Sequence, residues 1–173
     1  MKFINNTIFF KISIIFVIFI LDQISKAYVI NLFNEVQFNE IYLLKFINIY
    51  LIWNEGIAFG LLNFDNEVIY NIITYLIIFI SLVVLYFAFK NSDYTGYFFA
   101  MIFGGSLGNL CDRIKSSAVP DFIDFHVGNY HWFIFNVADI FISMGVICLI
   151  FVELFFDKKE LERLIFYFWY YLF

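Results

Sequence analysis

The chain has 173 residues, 64% of them hydrophobic and 24% aromatic, with only 14% charged and a formal net charge of −5. A soluble domain of this length cannot hide so much apolar surface, so part of its solvent must be lipid. The acidic balance and the lack of a basic stripe argue against nucleic acid as a partner, since nothing is there to neutralise phosphates.

A helix needs about 20 mostly apolar residues to cross a bilayer. Four stretches meet that need, at about residues 8–29, 68–89, 94–111 and 133–156. The first is read as a retained span rather than a cleaved signal peptide, because no small-residue cleavage site follows it and Asp22 and Lys26 interrupt its end. After it, at about 34–64, the segment "EVQFNEIYLLKFINIYLIWNEGIAFGLL" is rich in β-branched and aromatic residues. Its partial alternation, Ile47, Ile49 and Leu51 against Asn48 and Tyr50, predicts a small strand-containing element. An interfacial helix is the alternative. The third span, "YTGYFFAMIFGGSLGNLC", is shorter and glycine-rich. A polar bridge carrying Asp121, Asp124, His126 and His131 leads to the fourth. The fold class predicted is therefore a membrane all-α protein: four transmembrane helices with a small extracytoplasmic β element between the first two. Residues 1–157 form one domain and 158–173 a charged and aromatic tail, whose "RLIFYFWYYLF" is too short to span and suits the membrane interface.

Loop charge sets the orientation. Lys2, Lys11, Lys90, Lys158, Lys159 and Arg163 all fall on one side of this four-span arrangement. The positive-inside rule makes that side cytoplasmic, with both termini inside and the two long connections outside. Cys111 and Cys148 lie in apolar segments and read as small buried hydrophobes rather than a disulfide.

Ionisable groups inside a span cost about 2.5–3.5 kcal/mol each on insertion scales, which makes them functional candidates. Asp22 and Lys26 are spaced i, i+4 with the acid first, the favourable order for a helical ion pair. Gly105, Asn109 and Asp112 share one face of the third span, and Asn136 and Asp139 one face of the fourth. Close helix packing explains Gly104, Gly105 and Gly108 but not the Asn109, Asp112 and Arg113 that follow.

Two carboxylates close together in a low-dielectric pocket share a proton. In that state one activates water while the other polarises a carbonyl, the arrangement of an aspartic protease. His126 and His131, five apart in what reads as a loop, are expected to be surface residues rather than metal ligands. No serine–base pair, P-loop or dinucleotide motif is present. A small channel or carrier, using the acids for an ion or proton, is the alternative from a different class. Chemistry alone divides the catalytic role almost evenly between Asp112 and Asp121. An acid followed directly by Arg113 is the more natural structural ion, which favours Asp121, and Asp124 is expected to be a solvated loop residue.

Five motifs in order, "LDQISK" (21–26), "NEGIAFG" (54–60), "GGSLGNLCDR" (104–113), "VPDFID" (119–124) and "FNVAD" (135–139), resemble those of the lipoprotein signal peptidases, or signal peptidase II. These are bacterial integral-membrane aspartic proteases, and the resemblance covers roughly residues 15–150. It implies that Asp121 and Asp139 form the catalytic dyad, with no metal or cofactor. It implies cleavage on the amino side of a lipid-modified cysteine in a prolipoprotein, by a monomer in the bacterial cytoplasmic membrane, with the site toward the outer leaflet. Asp22, Lys26, Asn54, Gly105, Asn109, Arg113 and Asn136 would line or brace the substrate site. Pro120 departs from the pattern by stiffening the chain beside Asp121.

Overall fold

The computed structural model describes residues 2–35, 40–55, 67–128 and 130–155. In chain order the elements are α1 (Lys2–Glu35), β1 (Ile41–Leu44), β2 (Ile47–Asn54), α2 (Glu67–Lys90), α3 (Thr95–Ser116), β3 (Val119–Val127), β4 (Tyr130–Phe135) and α4 (Val137–Phe155). The molecule is mostly helical with one small antiparallel sheet.

Three helical segments among the described residues are long and apolar enough to cross a membrane: Asn6–Glu35, Val68–Lys90 and Val137–Phe155. Their outward faces are apolar, with Phe9, Phe79 and Ile147 all more than half exposed. Such surface is stable only against lipid or another apolar partner. The remaining helix, α3, is the least apolar of the four. It packs against α1, α2 and α4, and so forms the centre of the bundle. Glycine makes the close approach to α4 possible: a Cβ on Gly105 would lie 2.6 Å from the Ala138 carbonyl oxygen. At the other side of α3, a Cβ on Gly108 would collide with the Asp22 carboxylate.

Ser117, in a left-handed conformation (φ 54°), ends α3 and turns the chain into β3. The sheet order is β1-β2-β3-β4, antiparallel throughout. The strand reading of the first connection therefore holds at β1 and β2. The element is not confined to that connection, however, because the second supplies the other half of the sheet. Residues 130–135, read in part as the start of the last span, form strand β4, and the helix begins only at Val137. Aromatic and β-branched residues at 132–135 continue into the helix without a change in hydropathy, so composition alone does not mark the boundary. His126 and His131 likewise lie not in a loop but opposite one another on β3 and β4. The last residues of "NEGIAFG" and the aromatic tail fall outside the described residues.

Pro120 is accommodated by its place in the sheet. It pairs with Trp53 of β2, whereas β4 joins β3 only from Ile123 onward. At Pro120 the strand has one neighbour, an edge-like position of the kind where a residue without an N–H is tolerated.

Candidate active site

Four elements meet where the end of α3 and the head of α4 approach the sheet. The head of α4 carries a reciprocal cap. Asn136, immediately before the helix, accepts the Asp139 N–H at 3.1 Å, and Asp139 Oδ2 accepts the Asn136 N–H at 3.2 Å. This has the logic of a capping box, with Asn and Asp in place of the usual Ser/Thr and Glu/Gln. It fixes the Asp139 carboxylate relative to Asn136, whose Nδ2 then donates to Asp121 Oδ1 at 2.5 Å. Asn54, the last residue of β2, donates to the other oxygen, Asp121 Oδ2, at 2.8 Å. Asp139 Oδ1 accepts from Asn109 Nδ2 of α3 at 2.9 Å.

Both carboxylates are buried, and amide groups donate to each of them. Burial is the main force on Asp121, raising its pKa from the ordinary 3.8 to about 6. The Asn54 hydrogen bond opposes that shift, the nearby Asp139 charge adds to it, and Asn136 opposes it again. Both acids open onto one cavity of about 220 Å³, also lined by Asn54, Asn109, Arg113 and Asn136. Ser106, Ser143, Ile77, Ile142 and Val119 complete its wall.

Asp22, Lys26 and Gly105 do not line that cavity; they stand behind it. Lys26 uses its ammonium group on Asp22 Oδ2 at 2.7 Å, Asp112 Oδ2 at 2.7 Å and Asn109 Oδ1 at 2.8 Å. The last contact orients the Asn109 amide, so that its NH₂ group points to Asp139. Asp22 Oδ1 accepts the Ala138 N–H at 2.9 Å, placing an anion at the N-terminus of α4. A single helical pair in α1 thus tethers both α3 and α4. Asp112 is held by Lys26 and by Gln23 Nε2 at 3.1 Å. Both of these partners belong to α1. The Arg113 guanidinium lies 5.6 Å from the centre of the Tyr70 ring.

A further sequence expectation is overturned here. Asp124 is not a solvated loop residue: it is 2% exposed, in β3, with Oδ2 2.7 Å from His131 Nδ1. Pairing of β3 with both β2 and β4 buries it. Sequence reasoning also missed Gln23, Ser106 and Ser143. Helical spacing carried a signal for the serines, since Ser106 is three residues before Asn109 and Ser143 four after Asp139.

The family profile described as signal peptidase (SPase) II matches residues 14–156. The chain belongs to the signal peptidase II family. It is 51% identical over 152 residues to a lipoprotein signal peptidase of Pelagibacter ubique (strain HTCC1062), covering 88% of this chain and 92% of that protein. It is 34% identical over 166 residues to the lipoprotein signal peptidase of Aquifex aeolicus (strain VF5), covering 95% and 96%. A bacterial membrane enzyme solved by the in meso method at 1.9 Å superposes with a TM-score of 0.67 at 28% identity, over 85% of this chain and 94% of that one. A second, at 2.3 Å, gives 0.65 at 30% identity, over 83% and 86%. Membership of the signal peptidase II family supports the peptidase reading and lends nothing to the channel alternative.

Proposed function

We propose that this signal peptidase II is an aspartic endopeptidase that removes signal peptides from prolipoproteins, with Asp121 and Asp139 as its catalytic pair. The observation that carries the assignment is the convergence of these two buried carboxylates, from different elements, on one cavity. Neutral amide donors hold each acid in place without fixing it as an ion, which leaves the pair free to share one proton. The ionised member takes a proton from water as that water attacks the scissile carbonyl. The protonated member gives its proton to the carbonyl oxygen; the member that took water's proton then passes it to the leaving amine, and collapse of the gem-diol returns a proton to its partner. The chemistry needs no cofactor.

Asn54 and Asn136 serve as positioning residues for Asp121, and Asn109 for Asp139. Arg113, on the same wall, is suited to hold substrate carbonyl groups. Asp22, Lys26 and Gly105 brace the site from behind.

The substrate class follows from where the cavity lies. In the proposed arrangement α3 is a fourth span, both termini are cytoplasmic, and the sheet rests on the outer membrane–water boundary. Exposed Tyr42, Leu43, Leu44, Trp53 and Trp132 on the sheet support that placement, since aromatic residues favour the interface. At the far end of the bundle, Lys11 donates to the Asn91 carbonyl beside Lys90, which supports one basic, inward end. A cavity between bundle and sheet would then receive a lipid-modified cysteine from the membrane and water from outside. Purified full-length protein should cleave a diacylglyceryl-cysteine peptide on the amino side of that cysteine and leave its unlipidated twin intact. Equal cleavage of both peptides would remove lipid from the recognition, and cleavage of neither would overturn the reading.

A further inference from the structure

Outside the peptidase cavity, strand pairing assembles a second cluster of polar side chains. Asp124 and His126 are two apart on β3 and so share a face, and His131 of β4 is the direct cross-strand partner of His126. One ligand atom from each of the three residues lies within 4.8 Å of the others. Asp124 Oδ2 is 2.7 Å from His131 Nδ1 and 3.7 Å from His126 Nδ1, and the two imidazole rings stack with centroids 5.3 Å apart. Around an ion with bonds of about 2.1 Å, tetrahedral donor atoms stand about 3.4 Å apart. The observed spacings bracket that value.

The hydrogen bonds within the cluster do not account for its atoms. Asp124 is 2% exposed, yet its Oδ1 has no hydrogen-bond partner among the described residues. His126 Nδ1 is buried and unpartnered in the same way. So is Oδ1 of Asn48, the β2 residue directly opposite Asp124, although its Nδ2 donates to Glu40 at 2.6 Å. A buried acceptor left unmade costs about 1–3 kcal/mol. Three gathered at adjoining positions of one sheet form a coherent set of electron-pair donors. The His131 side chain is 54% exposed, which gives an ion a path in from solvent.

We propose that Asp124, His126 and His131 form a site for a borderline-soft divalent transition-metal ion, with Zn²⁺ the best-matched, separate from the aspartic pair. Two imidazole nitrogens and one carboxylate oxygen suit this class of ion, and water completes the coordination. The ion clamps β3 to β4. Asp121 lies three residues before Asp124 and Asn136 five after His131, so the clamp stiffens the hairpin joining the two residues whose side chains meet at 2.5 Å. The site stands independently of the peptidase assignment.

The test titrates Zn²⁺ into the purified full-length protein, without a histidine tag, against a chromophoric chelator. Wild type is expected to bind one equivalent saturably and to unfold at higher temperature when loaded. His131→Ala, outside the peptidase cavity, should keep peptidase turnover and lower the metal-free unfolding temperature, because Asp124 Oδ2 loses its partner, while losing affinity by about 100-fold, at the upper end of what loss of even an outer-shell partner costs. His126→Ala should show the same loss. Co²⁺ in place of Zn²⁺ should give visible d–d bands in wild type that His131→Ala lacks. Absence of saturable binding in wild type, or equal affinity in wild type and His131→Ala, would overturn the proposal.

Discussion

Asn136 and Asp139 cap one another at the head of α4, and the amide that completes this cap also reaches Asp121 across the cavity at 2.5 Å. One side chain therefore couples the start of a helix to the geometry of both acids. Its two functions are separable. Asn136→Ala loses the cap and the Asp121 contact together and should destabilise the protein by about 1 kcal/mol. Asn136→Ser restores a capping oxygen but cannot reach Asp121 with a donor. Serine should recover most of the stability while turnover stays about 100-fold low, as expected for a displaced catalytic group. Thermal unfolding and peptide cleavage on the same preparations check this, and recovery of both properties by serine would contradict it.

The titration of Asp121 has a definite sign. Its folded pKa, pushed up to about 6, exceeds the ordinary 3.8, so the native state binds the extra proton between those values. Stability from this group is fully present below about pH 3.8 and is lost as pH rises through 6. Asp121→Asn should remove that segment of the stability–pH curve. Activity should fall as pH rises along the same limb, because the singly protonated pair disappears. Asn54 donates to the ionised form and opposes the upward shift. Asn54→Ala should therefore move the limb to higher pH, and an unmoved or more acidic limb would count against this account.

Lys26 is 2% exposed and stands between Asp22 and Asp112. Lys26→Met leaves both carboxylates buried without their shared cation and should cost about 3–5 kcal/mol. Adding Asp22→Asn and Asp112→Asn removes the uncompensated charge, so the triple variant should regain much of that loss. Activity should remain low, since Asn109 no longer has an ammonium to orient its amide toward Asp139. Denaturant unfolding in micelles reads the first effect and turnover the second.

Gly105 meets the Ala138 carbonyl, so Gly105→Ala forces α3 and α4 apart. Overpacking of this kind costs about 1–3 kcal/mol. Separation also draws Asn109 from Asp139, so turnover should fall with stability. Unchanged stability would mean that the helices are not in contact there.

Apolar length was legible for α1, α2 and α4, because lipid-facing helices need long hydrophobic runs. The spacing of Asn136 and Asp139 was legible too, although as a shared face and not as a cap. What the sequence hid was the sheet's assembly from distant segments, since the pairing of Asn48 with Asp124, 76 residues apart, leaves no local trace. For the same reason Asp124 read as solvated and the histidines as loop residues. The partners of Lys26 on α3 were hidden likewise. Its partner on α1 lay four residues away, whereas Asn109 and Asp112 are more than 80 away.

The most direct measurement is single-turnover cleavage of a diacylglyceryl-cysteine peptide by wild type, Asp121→Asn and Asp139→Asn, each shown to be folded. Each substitution removes one member of a pair that works only together, so each should lower the rate by about 10²–10⁴-fold. Wild-type turnover by either variant would contradict the account.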